Sequence, residues 1–135
     1  IGANNSRTVE RGALFVCCIA SVGKMGIAER RSAFNQQINA VSWGAEISSK
    51  YGYYAVEQKR SEIIQWASRA ATTVPILKKS EFEKLTIRVP PIEVQHEFDE
   101  LIGEVDIERE AVLTHLEMLH SIFASLQHRA FRGEL

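Results

Sequence analysis

The sequence predicts an α+β fold: a small mixed β-sheet domain with covering helices, followed by one long coiled-coil helix. Three observations predict it. Short apolar or alternating runs separated by glycine, serine and asparagine occupy residues 1–91, as expected of strands joined by turns. Residues 92–135 carry apolar side chains at spacings of four and three, interrupted at Arg109, which is a helical period. The charge divides at the same place. Residues 1–91 hold 13 Lys and Arg against 7 Asp and Glu, about +6, whereas residues 92–135 hold 3 against 10, about −7. The expected boundary therefore lies between 91 and 92, with a domain on one side and a helix on the other.

At 45% hydrophobic and 24% charged, the composition is that of a folded protein and not of a disordered one. Nowhere does a run of about 18 apolar residues occur, as a membrane-spanning helix would need, nor does the sequence start with the basic flank and apolar stretch of a signal peptide. A cytoplasmic setting without membrane contact is expected. Opening at Ile1 without methionine, and entering an apolar stretch almost at once, is the pattern expected where something N-terminal is missing. The two cysteines, Cys17 and Cys18, are adjacent, so they are read as reduced and pointing to opposite faces of a strand.

Ala13-Leu14-Phe15-Val16-Cys17-Cys18-Ile19-Ala20 is a continuous apolar run, short and β-branched enough for a central buried strand. Ser21-Val22-Gly23-Lys24-Met25-Gly26 reads as a turn into a second strand near Ile27. Residues 33–41 place apolar side chains at every second or third position, a strand with one polar face. Val56, Ile63, Ile64 and Ala67 recur at helical spacing among charges, which predicts one amphipathic helix over residues 53–67 covering the sheet. A polar connection follows from Thr72. Ser80 and Glu83 have the spacing of a capping box, so a helical turn is expected over 80–84, then an alternating strand Leu85-Thr86-Ile87-Arg88-Val89.

Pro90-Pro91 ends that strand and starts the long helix, because proline in the first helical turn gives up no internal hydrogen bond. Its seam is Phe98, Ile102, Val105, Arg109, Val112, Leu116, Leu119, Phe123 and Leu126. A period of 3.5 keeps such a stripe against one partner helix, the physical content of a coiled coil. Arg109 interrupts it, either to fix register against an acidic partner residue or to snorkel to solvent. Glu93, Glu97, Asp99 and Glu100 suit the positive end of the helix dipole, His128, Arg129 and Arg132 the negative end, and Gly133 a C-terminal stop.

Catalysis is disfavoured by what the domain lacks. Before His96 there is neither aspartate nor histidine, and His96, His115, His120 and His128 all lie on the long helix, where no metal cluster or catalytic triad assembles from one chain. No metal and no cofactor are expected. Gly23-Lys24 is not a phosphate-binding loop, since Cys18 and Met25 stand where the motif needs glycine and Ser or Thr. Nor does Val89-Pro90-Pro91-Ile92 carry the acidic or Asn residue and the aromatic that flank Pro-Pro in amino-methyltransferases acting on DNA.

A basic domain concentrates near polyanions, and an acidic helix suits a protein partner better. The candidate DNA contacts are Lys24, Arg30, Arg31, Asn35, Gln36, Gln37, Lys78 and Lys79, with Asn39 beside them. Lysine and arginine neutralise phosphates, while Asn and Gln make paired hydrogen bonds to adenine. Two readings stand for Asn35, Gln36 and Gln37, base contact or bracing of backbone at a sheet edge. Lys24 is either a phosphate contact or a solvated tip. Tyr51, Tyr53 and Tyr54 either stack on bases or cap the core.

From about Val9 to Leu135 the chain resembles the DNA-specificity (S) subunits of type I restriction-modification systems. The resemblance is carried by Gly12-Ala13-Leu14-Phe15-Val16, Ser21-Val22-Gly23-Lys24-Met25-Gly26, Phe34-Asn35-Gln36-Gln37-Ile38, Thr72-Thr73-Val74-Pro75 and Lys79-Ser80-Glu81-Phe82-Glu83-Lys84-Leu85. It continues in Pro90-Pro91-Ile92-Glu93-Val94-Gln95, like the opening of the family's conserved-region helix, and in Ser125-Leu126-Gln127-His128-Arg129-Ala130-Phe131-Arg132-Gly133-Glu134-Leu135, like its C-terminus. Arg88 stands where the family often has a proline, and Ala71 where a glycine often precedes Thr72-Thr73. The resemblance implies a non-catalytic subunit, with residues 1–91 a partial target-recognition domain and residues 92–135 the conserved-region helix. It also implies the partners: double-stranded DNA, methyltransferase (M) subunits that methylate adenine, and restriction (R) subunits, with self-association through the helix. A coiled-coil adaptor that binds protein alone is the rival expectation.

Overall fold

The computed structural model describes residues 7–69 and 73–134; Ile1, Ala71, Thr72 and Leu135, which entered the sequence reading, lie outside the described residues. The fold is α+β, and the described residues form small antiparallel sheets, three shorter helices and one long helix. By contacts it divides into two units, Ile1–Glu97 and Phe98–Leu135.

In the first unit, β2 (Leu14–Cys17) is the central strand of a three-stranded sheet, flanked by β3 (Met25–Ile27) and β5 (Ile38–Val41) in the order β3-β2-β5. The apolar run fixes this position, because Leu14, Val16 and Cys18 all point into the core. Cys18 is buried and Cys17 half-buried, so the pair does alternate across the strand, and both thiols are free. Burial, joined by the neighbouring Cys17 thiol, pushes the Cys18 thiol up from its ordinary value. A second, two-stranded sheet pairs β1 (Thr8–Val9) with β4 (Ser32–Ala33).

Helices α1 (Ser49–Glu57) and α2 (Arg60–Arg69) cover the core with Val56, Ile63 and Ala67. The expected single helix is thus two. The break carries no proline or glycine, but the Lys59 amide bonds Val56 O three residues back, a tightened turn that redirects the chain while Val56 and Ile63 both stay buried. Ser48 caps α1, its hydroxyl accepting from the Tyr51 amide at 3.0 Å. The strand expected over 33–41 is likewise divided, since Gln36 and Gln37 form a turn between β4 and β5.

Helix α3 (Lys79–Phe82) buries Phe82 but uses no capping box: its N-cap is Lys78 without a side-chain bond, and Glu83 pairs with Lys79 at 3.5 Å. Glu81 instead accepts from Lys84 at 2.8 Å, which lowers its carboxyl below the usual range. Residues 85–89 form no ladder. Leu85 and Ile87 are half-buried on the core while Thr86 and Arg88 are exposed, so the period of two is real but no strand among the described residues pairs with it.

Helix α4 (Ile92–Phe131) starts after Pro91, as the double proline predicts, and runs 40 residues, about 60 Å at 1.5 Å per residue. Its end is a Schellman motif: Gly133 has φ +72°, its amide bonds Ala130 O, and the Glu134 amide reaches Arg129 O at 2.9 Å. Gln95 in the first turns is fully buried. Its Oε1 accepts from the Ser48 amide at 2.9 Å, and its Nε2 donates to Glu46 O at 2.9 Å and Pro90 O at 2.8 Å.

Candidate nucleic-acid interface

Strand register decides which polar residues can act together. Cys17 pairs with Ile38 on one side and Val16 with Met25 on the other, so the β2–β3 turn and the β4–β5 turn emerge at the same end of the sheet. The consecutive amides of Cys17 and Cys18 donate to Lys24 O at 2.8 Å and to Gln37 O at 2.7 Å, which pins both turns there. The third contributor is the stretch before α3: Ile19 bridges Ile76, and the Leu77 amide donates to Cys18 O at 2.8 Å, which brings Lys78 and Lys79 to this end too. Lys24, Asn35, Gln36, Gln37, Lys78 and Lys79 are all exposed.

Local geometry explains each turn. Gly23 has φ +85°, and Ala20, with φ +60°, is held in the left-handed region by its amide bond to Pro75 O at 3.1 Å. Asn35 uses its side chain on its own backbone, Oδ1 accepting from the Gln37 amide at 3.0 Å. Asn35 thus braces the turn, while Gln36 and Gln37 extend beyond it.

Arg30 and Arg31 lie elsewhere. They follow β3, whose last residue Ile27 pairs with Leu14, at the opposite end of β2, roughly 10 Å from the Lys24 turn at about 3.4 Å per residue. Arg31 Nε also meets Glu10 at 3.3 Å, an exposed pair that leaves much of its charge to the field around it.

A cleft of about 850 Å³ opens beside β5. Asn35, Gln36 and Lys79 line it together with Arg7, Asn39, Ser42 and Trp43, above apolar Phe34, Val41, Phe82 and Ile87. Lys78 faces a separate hollow with Trp66, Arg69 and Glu81. Asn39 Nδ2 and Trp43 Nε1 are buried donors with no hydrogen-bond partner among the described residues. Sequence reasoning missed Arg7 and Trp43; Arg7 stands in the polar run Asn4-Asn5-Ser6-Arg7-Thr8 and Trp43 between a serine and a glycine, and only the fold brings them to this cleft. Tyr53 packs on the core and edge-on against Tyr54 at 5.0 Å, and Tyr51 Oη donates to Arg88 O, an arrangement that braces the domain.

In α4, Val105, Arg109, Val112, Leu116, Leu119, Phe123 and Leu126 are exposed, while Phe98 and Ile102 are half-buried. Among the described residues no group of three or more His, Cys, Asp or Glu is placed to hold a metal ion, and no helix is long and apolar enough to cross a membrane.

Residues 1–113 match the family model of the type I restriction modification DNA specificity domain, and the chain belongs to that family. Its role is accordingly DNA specificity in a type I restriction-modification system. Among curated proteins no match is found.

Proposed function

We propose that residues 1–91 are part of a target-recognition domain that holds double-stranded DNA against the end of the sheet where Lys24, Gln36, Gln37, Lys78 and Lys79 converge, with Arg30 and Arg31 contacting backbone further along the duplex. That convergence is the observation that carries the reading, since three segments distant in sequence supply cations and amide side chains to one edge of a domain with net charge of about +6. Lysines there position phosphates, and the glutamines are free to address base edges. Residues 92–135 are the conserved-region helix. Its seam, Phe98 to Leu126, pairs with the helix of another copy or with its equivalent in a longer subunit, and the paired helices dock M subunits that methylate adenine and R subunits that cut.

The test is the salt dependence of DNA affinity in the assembled complex. Each phosphate contact contributes about 0.9 to the slope of log affinity against log salt. Replacing Lys24, Arg30, Arg31 and Lys79 together with alanine is expected to lower that slope by roughly 3.6. An unchanged slope would end the reading and leave an adaptor that binds protein only.

A further inference from the structure

Helix α2 turns toward solvent a face whose chemistry suits more than water. Ile63 and Ala67 mark its buried side. Away from them, an arc of roughly 140° holds Ile64, Ser68, Ser61, Gln65 and Arg69 in that order, all exposed. A helix face kept only for water is ordinarily rich in charge of both signs. This one has no carboxylate, two hydroxyls, one amide, one guanidinium and an isoleucine left 41% exposed. The charges nearby are used locally, since Lys59 pairs with Glu62 at 3.4 Å and Arg60 with Glu57 at 3.0 Å. Ser68 donates to Ile64 O at 2.9 Å, which leaves its oxygen able to accept. Among the described residues the side chains of Gln65 and Arg69 enter no hydrogen bond or ion pair.

What borders the arc says what covers it. Its Ile64 edge abuts the β2–β3 turn: a Cβ on Gly23 would lie 3.1 Å from both Arg60 Cγ and Ile64 Cγ1, so Lys24 stands next to this edge. Its Arg69 edge shares a hollow with Trp66, Lys78 and Glu81, and Glu81 is taken by Lys84 at 2.8 Å. A lysine of the basic sheet end therefore flanks the arc on each side, in a domain with net charge of about +6. Duplex DNA has the matching order, because phosphates line both rims of a groove and base edges lie between them. A helix is about 10–12 Å across with its side chains, and the major groove is about 12 Å wide.

We propose that α2 enters the major groove and reads bases, with Gln65 on adenine, Arg69 on guanine and Ile64 against a thymine methyl, while Lys24 and Lys78 hold the phosphates on either rim. A glutamine amide pairs with adenine N6 and N7, the planar arginine fork spans guanine O6 and N7, and an apolar side chain meets the thymine methyl. The sequence pattern conceals this role, because Ile63, Ile64 and Ala67 together read as a helix that only covers the sheet. The inference rests on the reading that this sheet end faces duplex DNA, and the experiment separates the two.

The measurement is the target motif, read by sequencing the adenines that the complex with methyltransferase subunits methylates in a random-sequence duplex pool, beside the salt slope of its DNA affinity. Gln65→Ala is expected to relax the preference at one position by roughly 5- to 150-fold, the worth of one bidentate base contact, with the slope unchanged. Arg69→Lys keeps the charge but loses the fork, and should relax a different position to a similar degree. Lys78→Ala should lower the slope by about 0.9 and leave the motif intact. Both α2 side chains are exposed, so circular dichroism of the variants should match the unmodified chain. A motif unchanged in both α2 variants, with the slope still falling in Lys78→Ala, would overturn base reading by α2 alone. A motif unchanged and a slope indifferent to Lys78→Ala would overturn the DNA-facing sheet end as well.

Discussion

Gln95 shows how much one side chain does that its sequence position conceals. It sits in the Pro90-Pro91-Ile92-Glu93-Val94-Gln95 segment that marks the opening of the helix, where a glutamine among acidic residues reads as solvated. Its burial depends on Glu46 and Ser48, 49 and 47 residues away, which no local pattern announces. By satisfying one amide and two carbonyls it ties the first turns of α4 to the loop before α1. Gln95→Leu keeps the bulk but strands those three backbone groups, and is expected to lower stability by on the order of 3 kcal/mol in denaturant unfolding. Gln95→Glu keeps the acceptor for Ser48 but turns a carboxylate toward two carbonyls, which raises its pKa in the folded state. Its destabilisation should therefore be smallest below the usual carboxylate pKa and grow as pH rises through it. The DNA-contact candidates were legible as residue types. Their grouping was not, since Lys24 and Gln37 are joined only through the amides of Cys17 and Cys18.

At the scale of elements, the signals that survived were the ones tied to burial on one face. The apolar run became β2, the Gly23-Lys24 turn led into β3, and the double proline opened α4. Readings failed where a pattern needed a partner that sequence does not supply. Leu85 and Ile87 point inward as a strand would, yet among the described residues no strand pairs with them to make a ladder. Ser80 and Glu83 have capping-box spacing, but Glu83 goes to Lys79 and the helix starts one residue earlier. Packing also reverses a local preference in α1. Alanine usually favours a helix over glycine by about 1 kcal/mol. At Gly52, however, a Cβ would meet Trp43 Cε2 and Cζ2 at 2.6 Å, with the indole packed on the core. Gly52→Ala is expected to be destabilising, by about 1–3 kcal/mol, and a thermal melt with a raised Tm would contradict this account of the Trp43 contact.

For the whole molecule, the α+β class followed from the change of apolar period and the reversal of charge near residue 91, both visible in sequence because both are sums over many residues. Register is not such a sum. The order β3-β2-β5 decides that one sheet end gathers Lys24, Gln36, Gln37, Lys78 and Lys79, while Arg30 and Arg31 stay at the other. The central claim is that this end faces the duplex, with the distal half of α4 reserved for protein. Amide hydrogen exchange of the assembled complex, with and without duplex DNA at low ionic strength, tests it most directly. Slowed exchange on DNA addition is predicted around residues 23–25, 35–38 and 77–80, with residues 111–127 unchanged; protection confined to 111–127, or none in those three segments, would contradict it.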